Sequence, residues 1–182
     1  MKIKYIFTAL IFIMFSCDSD ISKKKILSEN TGKQNEIILV INDSDWRGFP
    51  GEVLRKTFEF DIDGLPQPEK LFNLVQINPS EFSRFFRTHK NIMFVGRNYK
   101  DSYTKNKWAK SQIVMYINSN SNEYDFKTSC VKSFNFLNRK ELENIKYSYK
   151  SAHNTEARKY IQESFGIDLF LPTEYSVSLK SE

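Results

Sequence analysis

The run Glu36-Ile37-Ile38-Leu39-Val40-Ile41-Asn42 sets the strongest limit on how this chain can fold. A strand with one wet face alternates apolar and polar residues. Here five apolar residues follow one another, four of them β-branched, and that suits a strand buried on both faces. Asn42-Asp43-Ser44-Asp45 follows as a turn and cap cluster. Trp46-Arg47-Gly48-Phe49-Pro50-Gly51-Glu52 leads into Val53, Leu54 and Phe58, which share one face of a helix with Pro50 in its first turn. Residues 61–69 are a connector, with Leu65-Pro66-Gln67-Pro68-Glu69 on an extended path.

Strand character returns at Leu71-Phe72-Asn73-Leu74-Val75-Gln76-Ile77 and at Asn91-Ile92-Met93-Phe94-Val95. Between them Pro79-Ser80-Glu81 opens a helix with Phe82, Phe85 and Phe86 inward. Residues 98–107 read as a polar, aromatic-bearing loop. Residues 108–117 read as a strand with Ile113, Met115 and Ile117 on one face and Val114 and Tyr116 on the other. Residues 122–150 are mainly helical, with a stripe of Val131, Phe134, Leu142, Ile145 and Tyr149. Its slip near Asn138 predicts a second helix starting there. A short helix over 155–165 ends at Gly166, Ile167-Asp168-Leu169-Phe170-Leu171 is a last strand, and 175–179 is one more. Strands alternating with helices predict an α+β (or α/β) layered sandwich of five to six strands in a mixed sheet, as one domain over residues 35–182.

The start of the chain carries an address. Lys2 and Lys4 precede an uncharged stretch from Tyr5 to Phe15, and Ser16-Cys17 follows. About eleven residues at ~1.5 Å each span only about half of a bilayer's hydrocarbon core, so the stretch reads as a signal peptide over 1–16 rather than a spanning helix. A small residue followed by cysteine at its end suits lipoprotein processing, with a diacylglyceryl group on Cys17 and palmitate as the expected acyl chain. Residues 17–34, polar and carrying Lys23-Lys24-Lys25, read as a lipidated flexible tether. With Cys17 lipidated, only Cys130 remains and no intramolecular disulfide can form. The fold must stand on its apolar core, for which sixteen Phe, nine Tyr and two Trp supply large pieces.

Charge and spacing narrow the chemistry. Removing residues 1–16 takes two lysines and no acids from a formal +5, leaving about +3, too mild for nucleic acid as a partner. His89 and His153 stand far apart, no metal-ligand spacing is present, and Gly48-Phe49-Pro50-Gly51 lacks the Lys and Ser/Thr of a phosphate loop. No cofactor is expected. Cys130 sits one position from the helical stripe and reads as core filler. His89 reads as lying near a helix C-terminus and His153 as a loop residue at a helix junction. Glu52, Asp61, Asp63 and Glu69 cluster in sequence, and a pair of them as acid and base is the enzymatic alternative, a glycan-cleaving envelope hydrolase. Arg97, Tyr99, Lys100, Tyr103, Lys105, Lys107 and Trp108 interleave cations and aromatics on a loop and form the candidate binding surface.

Several stretches resemble an uncharacterised lipoprotein family of Bacteroidetes-type bacteria, domain-of-unknown-function family 4837. They are Asn35-Glu36-Ile37-Ile38-Leu39-Val40, Trp46-Arg47-Gly48, Gly51-Glu52 and Leu65-Pro66-Gln67-Pro68-Glu69-Lys70-Leu71-Phe72. Later come His89-Lys90-Asn91-Ile92, Lys107-Trp108-Ala109-Lys110-Ser111-Gln112, and Gly166 with Leu171-Pro172-Thr173-Glu174-Tyr175. The resemblance implies an envelope address and no assigned catalytic residues. Family members continue past the Pro-x-x-Tyr element, so the resemblance also implies that this chain is either a short form or lacks a C-terminal half. The expectation is a membrane-anchored envelope lipoprotein, in the outer membrane, binding or scaffolding envelope protein, peptide or glycan without catalysis.

Overall fold

The computed structural model describes residues 26–178. The expected signal peptide, Cys17 and the Lys23-Lys24-Lys25 run lie outside them, as does Leu179 at the end of the last expected strand. Five strands form one sheet: β1 (Glu36–Val40), β2 (Asn73–Ile77), β3 (Asn91–Gly96), β4 (Ser102–Lys105) and β5 (Ile113–Asn118), in the order β2-β1-β3-β5-β4. Neighbours run parallel except β4, which pairs antiparallel with β5. Four α-helices complete the described fold: α1 (Asp43–Arg47), α2 (Phe49–Phe58), α3 (Glu123–Ser151) and α4 (Thr155–Phe165). This is the expected α+β class with a mixed sheet.

The opening run explains the sheet's centre. β1 is flanked by β2 and β3, and Ile37 through Ile41 are all buried. Ile37, Leu39 and Ile41 point to the side covered by α2 and α3, where Leu54, Phe58, Phe72, Phe126, Cys130 and Leu137 close the main core. Each such large apolar side chain, fully removed from water, contributes about 1.5–3 kcal/mol. Ile38 and Val40 point to the other side, with Ile77, Ile92 and Val114. Among the described residues, a half-buried aromatic layer of Phe82, Phe86, Phe94, Trp108 and Tyr116 covers that side. The faces of β5 are as its alternation predicts: Ile113, Met115 and Ile117 meet the helices, while Val114 and Tyr116 meet the aromatics.

Gly51 is required where α1 turns into α2, because a Cβ there would lie 1.8 Å from the Trp46 carbonyl oxygen. Arg55 donates to that carbonyl at 3.0 Å and lies over the Trp46 ring at 4.4 Å, fixing the corner. At α3 the Asn122 side chain accepts from the Asp125 backbone N–H, and Glu123 and Asp125 sit in the first turn, where the helix dipole favours acids.

Several expectations are corrected. The helix expected after Pro79 is a 3-10 turn, Arg84–Thr88; Phe82 and Phe86 pack inward, but Phe85 is 82% exposed. Residues 98–107 contain β4 and are not wholly loop, and β5 starts at Ile113 because residues 106–112 turn to meet it. α3 runs unbroken through Asn138. Its buried residues are Phe126, Cys130, Leu137 and Glu141, whereas Val131, Leu142 and Tyr149 of the expected stripe are exposed. The slip arises because the helix outlasts the sheet it packs on, so its last turns have no core to face. Ile167-Asp168-Leu169-Phe170-Leu171 pairs with no strand among the described residues, and residues 175–178 form none either. Gly166 does cap α4, at φ 70°.

Part of the stretch read as a tether is engaged with the body. Thr31 N–H donates to the Thr88 carbonyl (2.9 Å), Lys90 N–H to the Thr31 carbonyl (2.8 Å), and Lys110 N–H to the Ser28 carbonyl (2.9 Å). Asn30 Nδ2 adds a bond to the Lys110 carbonyl at 2.9 Å. Residues 28–32 thus form a strap along the amino-terminal edge of the sheet.

Candidate functional site

The strands β1, β3 and β5 begin at that same edge, and buried backbone groups there need polar partners. Gln112, with no exposure, supplies several. Its Nε2 donates to the Arg87 and His89 carbonyls, both at 2.6 Å, and its Oε1 accepts from Trp108 N–H at 2.9 Å. α3 returns antiparallel to the strands and crosses the edge at Glu141, which is 3% exposed. Glu141 accepts from Lys90 Nζ at 2.7 Å and from Asn91 Nδ2 at 2.9 Å. Beside it, His89 Nε2 lies 2.9 Å from Glu36 Oε1, while Nδ1 is 3.0 Å from the Asn91 carbonyl and 3.3 Å from its N–H. The hydrogen bond to His89 holds the Glu36 carboxyl below the usual carboxylate range, with burial opposing it.

Two clefts flank Glu141. One, of about 230 Å³, has Gln34, Lys90, Asn144, Ile145, Ser148 and Tyr149 around it. The other, of about 220 Å³, is bordered by Asn91, Lys105, Asn106, Ser111, Lys140 and Asn144 among others. Amides, hydroxyls and an ion pair suit hydrogen bonding to carbonyl and hydroxyl groups. They do not supply a base beside a nucleophile. Three of the stretches that carry the family resemblance, those beginning at Asn35, His89 and Lys107, converge here.

The loop residues singled out from sequence are divided between the two sides of the sheet. Tyr99, Lys107 and Trp108 join the aromatic layer. Tyr99 packs on Phe94 (6.1 Å between centroids) and Tyr116 (5.4 Å), and burial pushes its phenol up. Lys107 donates to the Tyr116 hydroxyl and sits 4.5 Å from the Trp108 ring centre. Tyr103, 52% exposed, packs on Phe136 of α3 at 4.6 Å on the helix side, and Lys105 borders a cleft beside Glu141. Arg97 and Lys100 are exposed beyond the opposite edge. Tyr103 and Lys105, two apart in β4, share its helix-side face, whereas Tyr99, Lys107 and Trp108 come from the segments flanking that strand.

Elsewhere the reactive groups are spread out. Cys130 is fully buried, and burial, with the Asp101 charge second, pushes its thiol up to about 12. His153 does lie between α3 and α4, packed on Phe170. His89 stands, as expected, at the C-terminal end of a helical turn, here the 3-10 turn, and is 6% exposed beneath the strap. Glu52 pairs with Lys56 at 2.7 Å and Asp61 with Lys70 at 3.0 Å, while Asp63 and Glu69 are exposed. Among the described residues no group of three His, Cys, Asp or Glu is arranged to hold a metal ion.

Sequence reasoning missed Glu141 and Gln112. A signal for Glu141 was present: it stands four positions after Leu137, in the buried register of α3. A carboxylate in a core register marks a partnered buried charge.

No curated protein and no solved structure matches this chain. Residues 30–150 match the family model of a domain of unknown function, DUF8532. That span holds the whole sheet and every residue named around Glu141, and over it the chain belongs to the DUF8532 family.

Proposed function

We propose that this protein is a lipid-anchored component of a bacterial cell envelope that binds or scaffolds other envelope molecules without catalysis. The observation that carries the address is Cys17 behind a small residue at the end of an uncharged stretch. The stretches resembling lipoprotein family 4837 support the same address, with the outer membrane as the expected site. Two acyl chains, at about 0.8 kcal/mol per buried methylene, give durable attachment.

The binding role is supported by the clefts beside Glu141. The buried charged groups there, Glu36, His89, Lys90 and Glu141, already have protein partners, which favours recognition of polar ligands over moving protons. The hydrolase alternative gains no support, since its four carboxylates are exposed and two of them are tied to lysines. Mass spectrometry of the mature N-terminus tests the anchor. A diacylglyceryl group on Cys17 is expected, and an unmodified Cys17 or cleavage elsewhere overturns it. Affinity capture from the native envelope, with Asn144→Ala as the control for the clefts, tests binding. Identical partners for both proteins would remove the clefts from the reading.

A further inference from the structure

We infer that the amino-terminal edge of the sheet, together with the overhanging end of α3, is a membrane-facing surface that rests on anionic phospholipid. The inference rests on the lipid-anchor reading and deepens it by assigning which side of the domain meets the bilayer. Three features of the fold coincide at this edge.

The first is the entry of the chain. Ile26 stands nine positions after Cys17, a gap of at most about 30 Å when extended. From Ser28 the strap is bonded to Thr88, Lys90 and Lys110, so the chain reaches the body at this edge. Gly32 sits against the His89 ring, with φ 98° and no room for a Cβ, which would lie 2.1 Å from Nε2. The point of attachment is therefore fixed rather than swivelling.

The second is charge. At this edge Glu29, Glu36, Glu141 and Glu143 are all paired, with Lys110, His89, Lys90 and Lys140 respectively. Lys33, Arg87, Lys105, Lys107 and Arg139 are left over, with no ion pair among the described residues. Glu59, which accepts from Leu74 N–H, and the acids of residues 61–69 stand at the β2 corner of this edge, on the far side of β1 from β3 and β5. The opposite edge has no such surplus, since Asp43, Asp45, Asp101 and Asp125 stand there against Arg47, Arg97 and Lys100.

The third is α3 itself. Beyond Glu141 it continues for ten residues to Ser151, about 15 Å past the sheet. That end exposes Leu142 (57%), Tyr147 (76%) and Tyr149 (42%) beside Lys146 and Lys150. Tyrosines with lysines around an aliphatic side chain are what a helix places at the headgroup level of a bilayer. A face of this composition, beside unpaired cations and at the anchored end, fits anionic phospholipid in both charge and polarity.

The test uses the chain from Cys17 onward, produced without acylation, and sedimentation with vesicles. Phosphatidylcholine vesicles are compared with vesicles that also contain phosphatidylglycerol. Binding to the second kind alone, weakened by salt, is expected. Lys33→Glu, Arg87→Glu and Lys105→Glu together should weaken it by roughly a hundredfold, at about fivefold per cation. Arg47→Glu, Arg97→Glu and Lys100→Glu change the net charge equally at the opposite edge and should leave binding within about twofold. Lys23, Lys24 and Lys25 are kept in every protein, so the contrast reports the folded edge. Circular dichroism confirms that both triple variants fold.

Equal losses in the two triple variants, or binding indifferent to phosphatidylglycerol, overturn the inference. So does self-association abolished by Leu142→Asp in protein that ignores vesicles, because a second copy then covers the overhang. The anchor is read separately. A lipidated Cys17 with an indifferent edge sinks only the inference, and an unmodified Cys17 with a binding edge sinks only the anchor.

Discussion

Replacing Glu141 by Leu offers the sharpest test of the edge. The carboxylate is 3% exposed and takes hydrogen bonds from Lys90 at 2.7 Å and Asn91 at 2.9 Å. Breaking a fully buried ion pair by removing one partner costs about 3–5 kcal/mol, since the other charge is left uncompensated. The Lys90 side chain retains 17% exposure and can turn toward water, which lowers the expected cost to about 2–3 kcal/mol. Part of that is the Asn91 amide, left with only the Glu36 carbonyl at 3.4 Å. Urea denaturation at neutral pH measures the loss. The double variant Glu141→Leu with Lys90→Met removes both charges at similar volume and should recover more than half of it. A single variant within about 0.5 kcal/mol of the parent, or a double variant worse than both singles, would refute a buried, mutually dependent pair.

Other outcomes follow from neighbouring groups. Glu36 has its folded value depressed by His89, so its contribution is present above the unfolded carboxylate range and is lost as pH falls through the folded value. Urea midpoints of the parent should therefore drop on acidification more than those of Glu36→Gln; parallel profiles would count against the pairing. Gly32→Ala forces a Cβ into the His89 ring at a positive φ, and hydrogen exchange should show the Thr31 and Lys90 amides losing protection while the amides of β5 keep theirs. Cys130, fully buried with its thiol pushed up to about 12, should resist disulfide reagents at mildly alkaline pH and react only on unfolding. Rapid labelling of the native protein would contradict its place in the core.

The legible parts of this protein were those whose physics is local. Ile37 to Ile41 announced a strand covered on both sides, and the alternation in Ile113 to Ile117 assigned each β5 residue to its face. Gly166 marked a helix end because a left-handed residue there suits glycine. Four polar residues, Ser102 to Lys105, gave no such signal, because an edge strand can expose every side chain and owe its place to hydrogen bonds with β5. Likewise α3 looked broken at Asn138 because apolar spacing reports a packed neighbour, and among the described residues the helix buries none of its side chains past Glu141.

The site was less legible than the fold. Sequence alone determined that an uncharged stretch ends at Cys17, and that only Cys130 stands beyond it. Tertiary structure alone decided that Glu36, His89, Lys90, Asn91, Gln112 and Glu141 meet, since they come from four separate stretches of chain. It also decided that the strap and the overhang of α3 leave from one edge. The reason lies in the reach of each interaction. Periodicity and capping act over a few residues, whereas a buried carboxylate finds its lysine 51 positions away only once the sheet has brought them together.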